Sequence, residues 1–189
     1  MKKLLLALFV MCSALSFSAK VIKATDIDVK GNVVYEAGQN APYTGFIETY
    51  NEKNVLLARS EFKNGIQDGS SKIYFPNGKL YSEASFKNGK QIGVQKDYYE
   101  NGKVKMEATY KNGQKTGPAK IYDENGRLDT EANLVNGKAE GLVKSYYPNG
   151  KIRTEENYKN DERDGISKLY DENGKLVEQA TFKNGQQVK

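Results

Sequence analysis

The sequence predicts an all-β chain in which tandem 24-residue antiparallel β-hairpins lie side by side in an elongated, twisted, single-layer sheet. Three observations carry that expectation. FKNGIQDGSSKIYFPNGKLYSEAS at 62–85 is followed by four variants of itself, at 86–109, 110–133, 134–157 and 158–181, with no insertion or deletion. Self-similarity at a fixed period is the signature of a repeat architecture, and it outranks any local reading. Of the 18 glycines, 16 fall in three columns of that period, marking where the backbone bends. No apolar period of 3.6 residues survives in the mature chain, and Asn-Gly recurs about every dozen residues, so no helix is expected there.

The chain opens with MKKLLLALFVMCSALSFSA, residues 1–19. Lys2 and Lys3, an apolar run from Leu4 to Met11 and then small residues are the three parts of a secretory signal peptide. The sequence therefore predicts export to the periplasm, the outer surface or the medium. The apolar run falls short of the roughly 20 residues that span a bilayer, so no transmembrane segment is expected after cleavage. Cys12, the only cysteine, lies inside that leader behind Met11, where a lipid-attachment site would need a small residue; the mature chain is expected to carry no disulfide.

Residues 20–37 alternate apolar and polar side chains around Lys30-Gly31-Asn32 and read as an irregular N-terminal capping hairpin. Residues 38–61 read as a degenerate first repeat, in which Gly45, Tyr50 and Leu56 keep phase with Gly69, Tyr74 and Leu80. The repeat array then runs near 62–85, 86–109, 110–133, 134–157 and 158–181, with a partial unit at 182–189.

Within each repeat, the glycine of PNG or ENG (Gly78, Gly102, Gly126, Gly150, Gly174) marks one hairpin turn. Pro76 and Pro148 decide its type. In a two-residue turn their position would have to donate a ladder hydrogen bond, which proline cannot do. A three-residue loop, type I with glycine in the left-handed region, accommodates all five. With 76–78 as the loop, Tyr74 opposes Leu80, and simple alternation puts Ala84 and Phe86 on their side and Glu83 on the other. A second Asn-Gly column (Gly65, Gly89, Gly113, Gly137, Gly185) marks the return turn into the next repeat. At about 4.8 Å per strand, each repeat advances the sheet by roughly 10 Å.

Composition narrows the functional classes. There is no histidine in the chain and no cysteine beyond Cys12, so the commonest general base, the thiol nucleophile and the usual zinc ligands are missing. Glu83, Glu107, Glu131 and Glu155 recur with the repeat instead of converging on one place, and the glycines are turn glycines rather than a phosphate cradle. A non-enzymatic protein with no catalytic residue, cofactor or metal is expected. Without Lys2 and Lys3, 27 basic residues face 24 acidic ones, a net of +3, and they are interspersed, so no nucleic-acid partner is expected.

The unit G-x-x-K-x-Y-x-x-N-G-K, followed by a polar strand and then an aromatic or leucine before x-N-G, resembles the MORN-repeat variant of bacterial proteins, many of them described as YwqK-family antitoxins. The resemblance covers residues 38–189. It implies tandem hairpins in an extended sheet, no catalytic centre, and a role in binding proteins or membrane lipids. The leader fits an antitoxin of a cytoplasmic toxin poorly, so a binding or scaffold module at the cell envelope or surface, including host adhesion or invasion, is the expected role, with a toxin-sequestering antitoxin or immunity protein as the alternative.

Two columns are candidate binding surfaces. Tyr74, Tyr98, Tyr122, Tyr146 and Tyr170 form an aromatic ladder beside the aliphatic positions Leu80, Val104, Leu128, Ile152 and Leu176, either as packing or as an open face for a protein or glycan. Phe75, Tyr99 and Tyr147 add aromatics at the hairpin tips. Lys72, Lys96, Lys120, Lys144 and Lys168 form a stripe that either keeps the surface solvated or attracts anionic lipid headgroups.

Overall fold

A computed structural model describes residues 19–188 of the chain. The leader expected at 1–19 therefore lies, apart from its last residue, outside the described residues. Strands run in sequence order through one long antiparallel sheet, from Gly45–Tyr50 to Gln186–Val188, each hydrogen-bonded to the next except the short Lys138–Ala139, which shares the Leu128–Val135 edge with Gly141–Tyr146. No helix occurs among the described residues.

The N-terminal segment does two things. Ile27–Lys30 and Val33–Glu36 form a separate two-stranded hairpin, while Val21–Lys23 adds a short parallel strand to the Gly45–Tyr50 edge. Here lies the densest apolar packing: Ile22, Tyr43 and Ile47 are buried, with Ala24, Ile27, Val34 and Phe62 against them. The Tyr43 hydroxyl donates to the Lys20 and Phe46 carbonyls, at 2.8 and 2.9 Å, and so ties the segment to the first repeat.

Every tip loop has the three-residue geometry. The Phe75 N–H donates to the Lys79 carbonyl at 2.8 Å and the Gly78 N–H to the Phe75 carbonyl at 2.8 Å, and the same pair of bonds recurs at 99–103, 123–127, 147–151 and 171–175. Tyr74 opposes Leu80, as the turn chemistry predicts. The pairing then shifts by one: Ile73 opposes Ser82 and Lys72 opposes Glu83. Tyr81 is the extra residue of a β-bulge, which places two residues on one strand against one on its partner. The shift recurs between Asp97 and Tyr98, Ile121 and Tyr122, Ser145 and Tyr146, and Leu169 and Tyr170.

The expectation that Glu83 lies across the sheet from Tyr74 is thereby corrected. Because the side-chain period is two, one inserted residue reverses every later side chain on that strand. Glu83 shares a face with Tyr74, Leu80 and Lys72, whereas Ala84 and Phe86 point the other way, alongside Ser71 and Gly69.

Return turns are two-residue hairpins with both residues at positive φ, Asn-Gly everywhere but Asn160-Asp161, such as Asn112 (53°) and Gly113 (83°). Each sits over the previous one. The Gly89 N–H donates to Gln67, Gly113 to Gln91, Gly137 to Lys115 and Gly185 to Arg163. Asp68 accepts from the Asn88 N–H at 3.0 Å and from Lys87 at 3.1 Å, which holds its carboxyl below the ordinary value, the backbone bond contributing most. Asp164 is lowered likewise by Lys183 and the Asn184 N–H, here with the Lys183 bond contributing most.

Gly113 has open space where a Cβ would stand, so Gly113→Ala is expected to lose only the cost of a left-handed non-glycine residue, about 1–2 kcal/mol. A Cβ at Gly65 would run into the Val33 side chain and lie 2.7 Å from the Val34 carbonyl oxygen. Gly65→Ala is therefore expected to cost distinctly more and to loosen the N-terminal hairpin. Equilibrium denaturation of the two variants, with amide exchange at Val34, checks the difference.

Candidate binding surface

The bulge register assembles one face of the sheet from three rows. In the central row, cross-strand neighbours run Glu48, Arg59, Lys72, Glu83, Lys96, Glu107, Lys120, Glu131, Lys144, Glu155, Lys168 and Gln179 without a break. From Lys72 to Lys168 the signs alternate strand by strand. Opposite charges directly across strands are favourable by a few tenths to 1 kcal/mol each. Lys96 closes an ion pair on Glu107 at 3.1 Å, and Arg59 on Glu48 at 2.9 Å. The lysine column expected as a stripe is thus interleaved with carboxylates, which leaves little net field for an anionic lipid surface.

Toward the tips, the tyrosine row faces the aliphatic row: Tyr98 opposes Val104, Tyr122 Leu128, Tyr146 Ile152 and Tyr170 Leu176. Each hydroxyl reaches back 15 residues to the glutamate of the preceding repeat: Tyr98 to Glu83 (2.6 Å), Tyr122 to Glu107 (3.1 Å), Tyr146 to Glu131 (2.6 Å) and Tyr170 to Glu155 (2.9 Å). Tyr50 donates within its own strand to Glu48. At Tyr74 the matching position holds Arg59, so no carboxylate stands there to accept its hydroxyl. All five later tyrosines are half-buried and four of them are bonded to a glutamate, so this row is partly covered rather than freely open. Burial and the adjoining carboxylate push Tyr98 and Tyr146 up to about 12. Tyr122 is raised by the same causes in the same order.

The opposite face is built on small residues. Its central row runs Ser60, Ser71, Ala84, then Gln95, Ala108, Ala119 and Ala132, and Ala108 is 1% exposed. A parallel row contains Ser82 and Ser145, both buried. Ser82 donates to Asp97 at 2.6 Å, and Ser145 bonds Thr154 at 2.6 Å.

The tip aromatics belong to this second face. Sequence reasoning placed Phe75, Tyr99 and Tyr147 where packing is least demanding, but all three are half-buried. The Tyr99 hydroxyl donates to the Tyr122 carbonyl and that of Tyr147 to the Tyr170 carbonyl, each at 2.7 Å, so both tie one repeat to the next. Asp123 and Asp171 occupy the same column and cap their own loops instead, accepting from the N–H groups of 125 and 127 and of 173 and 175. Tyr81 escaped the sequence reading altogether. It occupies the bulge position and lies edge-on to Phe75, ring centroids 5.0 Å apart, with 40% of its surface exposed. Its only sequence signal is arithmetic: a three-residue loop at 76–78 and a Lys72–Glu83 pair cannot both hold without one spare residue.

Among the described residues, no group of three or more histidine, cysteine, aspartate or glutamate side chains is placed to hold a metal ion. Among the same residues, no helix is long and apolar enough to cross a membrane.

The raised tyrosines set a pH dependence. Their hydroxyls stay protonated in the folded chain up to about 12, while the unfolded chain releases those protons near 10. The stabilisation is complete below pH 10 and is lost as pH rises from there to about 12. A Tyr98→Phe, Tyr146→Phe double variant is expected to be less stable at neutral pH, by about 1 kcal/mol per lost bond, and to show a shallower decline across that window. Denaturation at stepped pH, with absorbance titration of the phenolates, measures both.

Comparison with known proteins agrees with this geometry. The MORN repeat variant matches residues 67–88, 91–112, 115–136, 139–160 and 163–184. No curated protein sequence matches. Among solved structures, part of a mutant of S. aureus TarM, in complex with fondaparinux, alpha-GlcNAc-glycerol and UDP, is similar at 13% identity and a TM-score of 0.34, over 61% of this chain and 21% of that one. TarM itself is similar at 16% identity and a TM-score of 0.34, over 57% of this chain and 20% of that one. The chain thus spans about a fifth of the length of those structures, and a likeness that distant carries no argument about its role. Five matched repeats over more than half the chain do: it belongs to the MORN repeat variant family.

Proposed function

We propose that the chain is an exported, non-enzymatic binding or scaffold module that works at the cell envelope or surface, with contacts to a partner protein distributed along its repeats. Family membership supports a binding or scaffold role, since MORN repeats are binding modules. The observation that carries the reading is the sheet itself. Its two faces are built from repeated rows, and the titratable groups lie in lines of alternating sign instead of meeting in one cleft. General acid-base or nucleophilic chemistry needs a small set of groups brought within hydrogen-bond reach of one reacting atom, and a repeating ladder offers every repeat the same environment.

Export rests on the sequence of residues 1–19, and adhesion or invasion of a host is the form of envelope binding that this exported array fits. A sheet of this kind recognises a partner by shape and by registered charges, with each repeat adding a small contact, so affinity is expected to fall stepwise as repeats are removed.

Cell fractionation of the full chain, followed by mass analysis of its amino terminus and crosslinking in intact cells, tests the proposal. Recovery in the envelope or medium with an amino terminus near Lys20, crosslinked to an envelope or host-surface protein, is expected. Recovery in the cytoplasm with residues 1–19 retained, together with rescue of growth when a neighbouring toxin is co-expressed, would replace it with the antitoxin reading.

A further inference from the structure

We propose that the groove between the hairpin tips at 74–80 and 98–104 is a saccharide-binding subsite, selective for chains of all-equatorial pyranoses. The proposal rests on the envelope-module reading and gives it a ligand class. Phe75, Tyr81, Tyr99 and Lys105 lie along the groove, with Glu100, Asn101 and Glu124 at its rim.

The repeats supply their own control. Positions 75 and 81 recur as Tyr99 and Lys105, Asp123 and Asp129, Tyr147 and Arg153, and Asp171 and Val177. The tip loop closes with the same two backbone bonds whichever pair is present, so folding does not require aromatics at both positions. Only the 74–80 hairpin carries two, and the next hairpin adds Tyr99 beside them. Tyr81 keeps 40% of its surface in solvent although it sits against Phe75. Exposed aromatic area kept at one place in a regular array, where the fold is indifferent to it, marks a recognition site.

The chemistry of the groove selects the occupant. Aromatic faces carry negative charge density, and an all-equatorial pyranose presents a face of axial C–H groups with slight positive charge, which stacks on such rings. Tyr99 is held in place by its bond to the Tyr122 carbonyl, so the platform is set before a ligand arrives. Glu100 and Glu124 are exposed at the rim and offer carboxylate acceptors for sugar hydroxyls, Glu100 already taking one bond from the Asn77 amide at 3.2 Å, while the Lys105 ammonium, 5.6 Å from the Tyr99 ring centroid, offers a donor. Asn101 is committed to the fold, its oxygen accepting the Lys103 N–H and its amide donating to the Glu124 carbonyl. Lys79 and Lys103 are turned onto the Glu100 and Asn125 carbonyls, at 2.6 and 2.9 Å, so the charged groups free to face a ligand are of both signs. A neutral polyhydroxyl ligand suits that balance. A strongly cationic or anionic one meets a like charge.

Titration of the purified chain with fully N-acetylated chitotetraose and with cellotetraose, both neutral, followed by calorimetry and by tyrosine NMR signals, tests the assignment. Binding of at least one at a Kd of ~1 mM or tighter is expected, with the ring signals of Tyr81 and Tyr99 shifting together. Tyr81→Ala should weaken it about tenfold or more while leaving thermal melting nearly unchanged, since that side chain is exposed. Arg153→Ala, at the same bulge position two hairpins further along the array than Lys105, should leave binding unchanged. Absence of binding by both tetrasaccharides at about 10 mM, or equal binding by Tyr81→Ala, would overturn the proposal. Binding of octalysine with the same dependence on Tyr81 would also overturn it and make the groove a cage for cations. The titration uses purified protein, so a negative result sinks the saccharide subsite and leaves the envelope reading to stand or fall by fractionation.

Discussion

One spare residue per hairpin organises this molecule. If the strands of the 74–80 hairpin paired without a bulge, Tyr74 opposite Leu80 would force Lys72 opposite Ser82, and the glutamates would fall on the face away from the tyrosines. With the bulge at Tyr81, Lys72 meets Glu83, and Glu83 then meets Lys96 across the next strand. The same residue brings the Tyr98 hydroxyl within 2.6 Å of Glu83. Charge ladder, tyrosine ladder and small-residue face all follow from that one insertion, repeated every 24 residues.

The arrangement also accounts for how so thin a sheet holds together. Among the described residues few side chains are buried, and the buried apolar ones other than Ala108 lie at the N-terminal junction. Elsewhere the repeats are joined by polar bonds that each reach one unit along: tyrosine to glutamate, the Tyr99 and Tyr147 hydroxyls to backbone carbonyls, and return-turn N–H groups to the strand before. Bonds to charged groups contribute more than neutral ones, and partial burial shields them from water. Since each unit touches only its neighbours, stability is a sum of local terms, and the array tolerates an irregular member. Asp161, standing where the other return turns have glycine, shows this: it keeps a positive φ of 72°, and its carboxylate accepts the Ala139 N–H at 2.6 Å.

Architecture was legible in the sequence because turn chemistry is local. Pro76 excludes a two-residue loop, Asn-Gly demands positive φ, and the period then places each strand. Tyr74 opposite Leu80 follows from the loop alone. What lay beyond reach depended on a residue that belongs to neither loop nor ladder. A bulge carries no fixed residue type here, since its column holds Tyr81, Lys105, Asp129, Arg153 and Val177, so no composition signal announces it. The displacement of Glu83 and the groove beside Tyr81 were hidden for the same reason. Tyr99 and Tyr147 looked free because a tip has no core beneath it, yet a neighbouring repeat's carbonyl lies within reach of each hydroxyl. Tyr43 was hidden differently: its phase-mates are Gln67, Gln91 and Lys115, and it acquires its role only from the N-terminal segment that packs on it.

A binding module gains from this construction because the rows on each face keep one register from repeat to repeat, while the bulge and tip columns vary without disturbing them. Recognition can be written into the variable columns while the ladders keep the frame. The most direct measurement of the account is the backbone register near a tip, by cross-strand nuclear Overhauser contacts in solution. The account predicts that Tyr146 pairs with Ile152 while Lys144 pairs with Glu155 in the same hairpin. Pairing of Lys144 with Thr154 would show an unbulged ladder and contradict it.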